Sequence, residues 1–210
     1  MEAQDRRAVR TRRWLRNAFL ELVLQKPYEA ITIQDITEQA DTARVTFYRH
    51  YKDKEELLLD CLEGLYCELS QHLEELSIER ASDPNEPVPI LMLYQYLDAN
   101  FQLYRTLLTG PVAALVSRRL RQYITEAVVA TIAKAANPET LVVPLDILAN
   151  QLAASFMGMI EWWLENDRPY PMAYVAKVSY WYALMGIKGA LNLPVELTPP
   201  DLRYPGAAPA

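Results

Sequence analysis

Nearly every long segment of this chain carries its apolar residues at three- and four-residue spacings, and no stretch shows the alternation of a half-buried strand. That period predicts an all-α architecture. In the first segment Leu15, Ala18, Phe19, Leu22 and Val23 form one stripe, and Pro27 ends it. Thr32 then reads as a helix N-cap, with Asp35 three residues on to return a side-chain bond. Ile31 and Ile36 flank the cap where a hydrophobic staple would form, and this short helix ends near Ala40. Asp41, Thr42 and Ala43 separate it from a second short amphipathic segment ending at His50 or Tyr51. Two short helices across so tight a turn make a helix-turn-helix unit.

Asp53 caps the next segment, with Glu55 and Glu56 at its positive end. Leu58, Leu62, Leu65, Leu69, Leu73 and Leu76 give it an apolar stripe roughly 35 Å long, enough to leave one domain and enter another. Asp83 to Pro89 is the clearest break in the chain. Helical patterns resume over Ile90–Leu108, stop at Gly110-Pro111, return from Leu120 to Ile132 and stop at Asn137-Pro138. Two further helices, Leu145–Asn166 and Met172–Leu191, are divided by Pro169 and Pro171. The five prolines between Pro194 and Ala210 predict an extended or disordered tail.

Charge is distributed unevenly. Residues 1–54 carry 11 Lys and Arg against 8 acids, and residues 55–210 carry 10 against 19, so the net −6 conceals +3 and −9. Six arginines fall within residues 6–16. Such asymmetry points to a nucleic-acid or anionic-surface contact at the basic end. Cys61 and Cys67 stand too far apart on a helix to bridge, and two unpaired thiols fit a reducing cytoplasm. No apolar stretch is long enough to span a membrane or to serve as a signal segment. His50 and His72 have no metal-ligand spacing, and no phosphate loop or hydrolase motif is present, so neither enzyme nor cofactor is expected. Glu161 and Glu165, one turn apart near Asp167 and Arg168, read as solvated charges.

The stretch Ile31 to Leu58, ITIQDITEQADTARVTFYRHYKDKEELL, resembles the DNA-binding segment of the tetracycline-repressor (TetR) family. The matching features are the Thr32 cap, Thr46-Phe47-Tyr48 at the centre of the recognition helix, Tyr51 after it, and Lys54-Glu55-Glu56-Leu57 opening the fourth helix. Two positions depart from the pattern. Asp41 stands at the usual turn glycine and tolerates a left-handed backbone. Ala43 replaces the usual capping serine, so Thr42 is expected to take over the cap and start the helix a residue earlier.

A recognition helix presents its N-terminal side chains to base edges in the major groove. On that footing Arg44 reads a base, with Thr46 and Arg49 on the adjoining surface. The resemblance further implies phosphate contacts from Tyr48, His50, Lys54 and Thr32, and a reach toward a base from Gln34. Phe47, not Tyr48, is the expected core aromatic, and the N-terminal arginines resemble a flexible arm along the DNA backbone.

These expectations divide the chain into a DNA-binding domain at 1–54, a helical ligand-binding and dimerisation domain at 55–193, and a tail at 194–210. The implied protein is a cytoplasmic homodimer and a repressor, released from a near-palindromic double-stranded operator by a small apolar or aromatic effector. Tyr66, Tyr94, Phe101 and Tyr104 are the effector-lining candidates, each with core packing as its competing role. The last two helices are apolar on more than one face and include Ala154 and Gly158, which suits pairing with a second subunit. An activator of the same fold is one alternative. Another is a helical binding protein or enzyme that leaves its helix-turn-helix unused, but such an enzyme needs a polar catalytic cluster, and none is visible.

Overall fold

A computed structural model of the chain describes residues 2–74, 88–135, 141–193 and 202. Among these, the secondary structure is helical: α1 (Glu2–Gln25), α2 (Ile33–Gln39), α3 (Arg44–Tyr48), α4 (Lys54–Glu74), α5 (Val88–Ala99), α6 (Phe101–Thr109), α7 (Ala113–Ala135), α8 (Leu145–Glu165) and α9 (Met172–Ala190), with a 3-10 turn at Tyr28–Ala30. The expected breaks around Asp83–Pro87 and Asn137-Pro138, the end of the α4 leucine stripe, His72, and the tail other than Leu202 lie outside the described residues or side chains.

Two compact units result: Met1–Glu68 with Gln102–Arg119, and Leu69–Phe101 with Leu120–Ala210. In the first, the stripe read from α1 is buried throughout, with Leu15 and Phe19 fully enclosed. Ile31, Ile36, Phe47, Leu57, Leu58 and Leu62 are among the other residues buried in this unit. Helices as short as α2 and α3 are not stable alone in water, so this shared core is what holds them.

The turn between α2 and α3 corrects one expectation. Thr42 does not cap α3; Ala43 takes the cap position with extended backbone and no side-chain bond. The reason lies in how α2 stops. Asp41 adopts φ +46, its amide donates to Glu38 O at 3.2 Å, and the Thr42 amide donates to Thr37 O at 2.9 Å. That is a Schellman ending, and it consumes Thr42 as part of the α2 terminus. The same device closes α8 at Asp167, φ +54, and α9 at Asn192, φ +51.

The N-terminal arginines are a second correction, since they lie on the continuous helix α1 and not on a flexible arm. A third concerns 90–108, expected as one helix but divided at Asn100. Both the amide and the side chain of Asn100 donate to Tyr96 O, at 3.2 and 2.9 Å, and this ends α5. Gly110 separates α6 from α7 where only glycine fits, because a Cβ there would lie 2.4 Å from Thr106 O.

In the second unit α9 packs against both α5 and α8. Tyr94 is fully buried, edge-on to Trp163 at 5.5 Å, and its hydroxyl lies 3.2 Å from Ser179 Oγ. The Trp163 indole donates to Tyr170 O at 2.9 Å, and Trp162 stacks on Tyr170. Ile132, Leu148, Leu152, Ala183 and Ala190 make a further cluster. Arg168, itself at φ +59, bonds Asp98 at 2.7 Å and lies 3.9 Å over the Phe101 ring. From the tail, Leu202 O accepts the Tyr174 hydroxyl at 3.0 Å.

Candidate nucleic-acid interface

Helix α3 turns one side inward and offers the other to solvent. Phe47 is buried completely, whereas Arg44, Val45, Tyr48 and Arg49 are exposed and Thr46 and His50 are partly so. Arg44 donates to the Tyr48 hydroxyl at 3.3 Å, with its guanidinium 5.7 Å from the ring. Tyr48 is therefore a surface residue beside Arg44, in keeping with the assignment of Phe47 to the core. His50 has its pKa lowered by burial and by the charges of Arg12 and Arg49.

Two of the expected contact residues have their polar atoms engaged by other groups of the protein. The Lys54 ammonium donates to Tyr28 O at 2.8 Å and Ile31 O at 3.0 Å, approaches Glu29 O at 3.4 Å, and sits 4.2 Å over the Tyr28 ring. It thereby fastens the start of α4 to the segment that leads into α2. Burial and nearby carboxylates push the Tyr28 phenol up to about 12. Thr32 and Asp35 form the expected capping box. The Thr32 amide and hydroxyl each reach Asp35 Oδ2 at 2.7 Å, and Lys26 pairs with the same oxygen at 2.8 Å. Lys26 and these hydrogen bonds hold the Asp35 carboxyl well below the usual range. Gln34 is exposed on α2, bonded to Glu38 at 2.8 Å.

Sequence reasoning missed a group lying behind this surface. Asp60, on the second turn of α4, receives the Tyr51 hydroxyl and the Arg12 guanidinium, both at 2.5 Å, with Arg16 Nε 3.9 Å away. Burial, then the Asp60 hydrogen bond, pushes the Tyr51 phenol far above its ordinary value. The available signal was a single carboxylate inside Leu57-Leu58-Leu59-Asp60-Cys61-Leu62, together with an arginine three residues before Leu15.

The four effector-lining candidates are divided between the units, Tyr66 and Tyr104 in the first and Tyr94 and Phe101 in the second. Tyr94, Phe101 and Tyr104 are buried and Tyr66 is half-buried. A shallow concavity lies elsewhere, on α8, lined by Asp146, Ile147, Asn150, Gln151 and Ala154. Among the described residues there is no metal-ligating cluster, and no helix is long and apolar enough to cross a membrane.

A short helix, a Schellman turn and a second short helix projecting basic and polar side chains from a buried base define a helix-turn-helix regulator fold. Residues 15–61 match the family model described as bacterial regulatory proteins, tetR family. Residues 89–182 match a model described as transcriptional regulator C-terminal region. The chain belongs to the TetR family.

Over 83 residues, 39% of its length, it is 46% identical to the HTH-type transcriptional regulator YxbF of Bacillus subtilis (strain 168). Over 104 residues, 48% of its length, it is 31% identical to the dhaKLM operon transcriptional activator DhaS of Lactococcus lactis. These matches span 20% and 50% of the two relatives' own lengths. Among solved structures, a TetR regulator from Streptococcus agalactiae is 24% identical, with TM-score 0.61 over 87% of this chain and 98% of that one. A TetR-family regulator from Syntrophomonas wolfei is 17% identical, with TM-score 0.66 over 89% of this chain and 97% of that one. Both likenesses concern the fold.

Proposed function

We propose that this protein is a sequence-specific, ligand-responsive transcriptional regulator acting in the cytoplasm as a homodimer, and that it represses until a small apolar or aromatic effector releases it from DNA. The observation that carries the reading is the exposed face of α3, where Arg44, Thr46, Tyr48 and Arg49 surround a fully buried Phe47. A guanidinium in the first turn of such a helix can pair bidentately with guanine. Gln34 reaches toward a neighbouring base, while Tyr48, Arg49 and His50 meet phosphate. Thr32 and Lys54, engaged as described, act chiefly by fixing the helices that carry the others.

In this reading residues 1–54 bind DNA, 55–193 bind effector and pair subunits, and 194–210 form a tail. Exposed Ile147, Trp162 and Tyr182 on α8 and α9 support pairing through those helices, so the operator is a near-palindrome. Effector contact within the second unit is assigned to Tyr94 and Phe101. The test is gel shift and footprinting on DNA flanking the protein's own gene. Arg44→Ala is expected to cost roughly 1–3 kcal/mol and to relax preference at one base pair. Unchanged preference would remove Arg44 as the reader.

A second reading, activation of transcription, is favoured by the likeness to the L. lactis activator. A reporter fusion decides between them: deleting the gene raises expression from a repressed promoter and lowers it from an activated one.

A further inference from the structure

Three elements of the first unit converge on one carboxylate. Asp60 belongs to α4, and only 11% of its side chain is exposed. Arg12 and Arg16 come from α1. Tyr51 comes from just beyond α3, to which it is bound twice. Its amide donates to Phe47 O at 2.9 Å, and its ring lies 5.7 Å from the Phe47 ring. Whatever fixes the Tyr51 hydroxyl therefore fixes the exit of α3. Both Asp60 oxygens are used, one by Tyr51 and the other by Arg12.

The surroundings are shaped for this meeting. One turn further along α4, a Cβ at Gly64 would stand 2.9 Å from Arg16 Nη1, so a side chain there would push Arg16 aside. The Arg12 guanidinium also lies 5.9 Å from the Tyr51 ring. A carboxylate this enclosed needs a counter-charge and satisfied oxygens, and it has both.

We propose that Asp60 is a positioning residue for DNA recognition: through Tyr51 it sets the angle at which α3 is presented, and Arg12 serves as its counter-charge, not as a phosphate contact. The role rests on the DNA-binding reading above. It differs from that of the Lys54 clamp, which ties α4 to the entrance of α2 and leaves the exit of α3 to Asp60.

The test uses the full-length protein carrying Tyr51→Phe, Asp60→Asn, Arg12→Gln or Arg13→Ala. Tyr51→Phe removes one hydroxyl and keeps the ring, so it folds if any variant does. Amide hydrogen exchange without DNA is expected to quicken about tenfold in α3 for Tyr51→Phe and Asp60→Asn, the factor one hydrogen bond to a charged group is worth, with α2 unchanged. Fluorescence anisotropy is expected to show the ratio of operator to unrelated-duplex affinity falling about tenfold in both, with unrelated-duplex affinity held within about twofold. Arg12→Gln follows Asp60→Asn, and combining them adds nothing, whereas Arg13→Ala leaves the ratio alone.

Unaltered α3 exchange in both Tyr51→Phe and Asp60→Asn overturns the proposal, as does faster exchange spread evenly over α1, α2 and α3. An Arg12→Gln protein that loses affinity for both DNAs equally overturns the counter-charge assignment. Wild-type protein with no preference for any duplex defeats the functional reading instead, and the exchange rates still decide whether Asp60 holds α3.

Discussion

At the scale of single residues, the basic end of the chain is less available to DNA than its composition suggests. Arg12 and Arg16 face Asp60, Lys26 faces Asp35, and Lys54 faces backbone carbonyls. Lys54→Met is therefore expected to destabilise the first unit by about 1–3 kcal/mol and to weaken binding to all DNA sequences. The salt dependence of binding decides its role. A slope unchanged within about half a unit fits a clamp, while a slope shallower by about one unit makes Lys54 a phosphate contact after all. His50 supplies a pH effect. Its folded pKa lies below the unfolded value, so its share of stability is complete above about pH 6.5 and is lost as pH falls through that value toward the folded pKa. With His50 against phosphate, as proposed, the charged imidazole would be favoured in the complex and DNA binding would take up a proton. Operator affinity is expected to rise between pH 8 and pH 6, and His50→Gln to flatten that rise in a pH series of anisotropy titrations.

The elements show which structural signals reach the sequence. The α1 stripe, the Thr32–Asp35 box and the bounds of α8 and α9 were legible because each rests on local spacing or a local cap. The ends at Asp41, Asp167 and Asn192 carry no glycine signal, since short polar residues occupy the left-handed positions. At Asp41 the left-handed turn was nonetheless legible, and the cap of α3 was placed one residue early, at Thr42, because Ala43 offers no capping side chain. Asn100 and Asp60 were missed for a different reason, because their effects depend on backbone or side-chain partners that periodicity does not register. The apolar exterior of α8 and α9 was legible, and it carries a prediction. A Cβ at Gly158 would meet nothing within 4 Å in the single chain. Gly158→Glu is therefore expected to leave the helical circular dichroism of the monomer intact while weakening the dimer by tenfold or more, about 1.4 kcal/mol. Sedimentation showing an undiminished dimer would place the interface elsewhere.

For the molecule as a whole, regulation requires that effector and operator each change the other's affinity by the same factor. An effector that weakens operator binding tenfold must itself bind the DNA complex tenfold less tightly, about 1.4 kcal/mol. Calorimetric titration of effector into free and operator-bound protein measures both sides, and equal effector affinities in the two would end the ligand-responsive reading. The chain has four tryptophans, Trp14, Trp162, Trp163 and Trp181, and variants that each keep one of the first three make such experiments practicable without labels. Trp163 is enclosed and its indole is bound to Tyr170, so its emission is expected to lie to the blue and to report the core of the second unit. Trp14 is exposed on α1 under Arg10, and Trp162 is exposed on α8, so both are expected to emit further to the red. In such variants a red shift on denaturation is expected from Trp163 alone, and a blue shift with rising protein concentration from Trp162 alone if α8 pairs subunits as proposed. Folding of the second unit and pairing of subunits can thus be followed through separate intrinsic fluorophores.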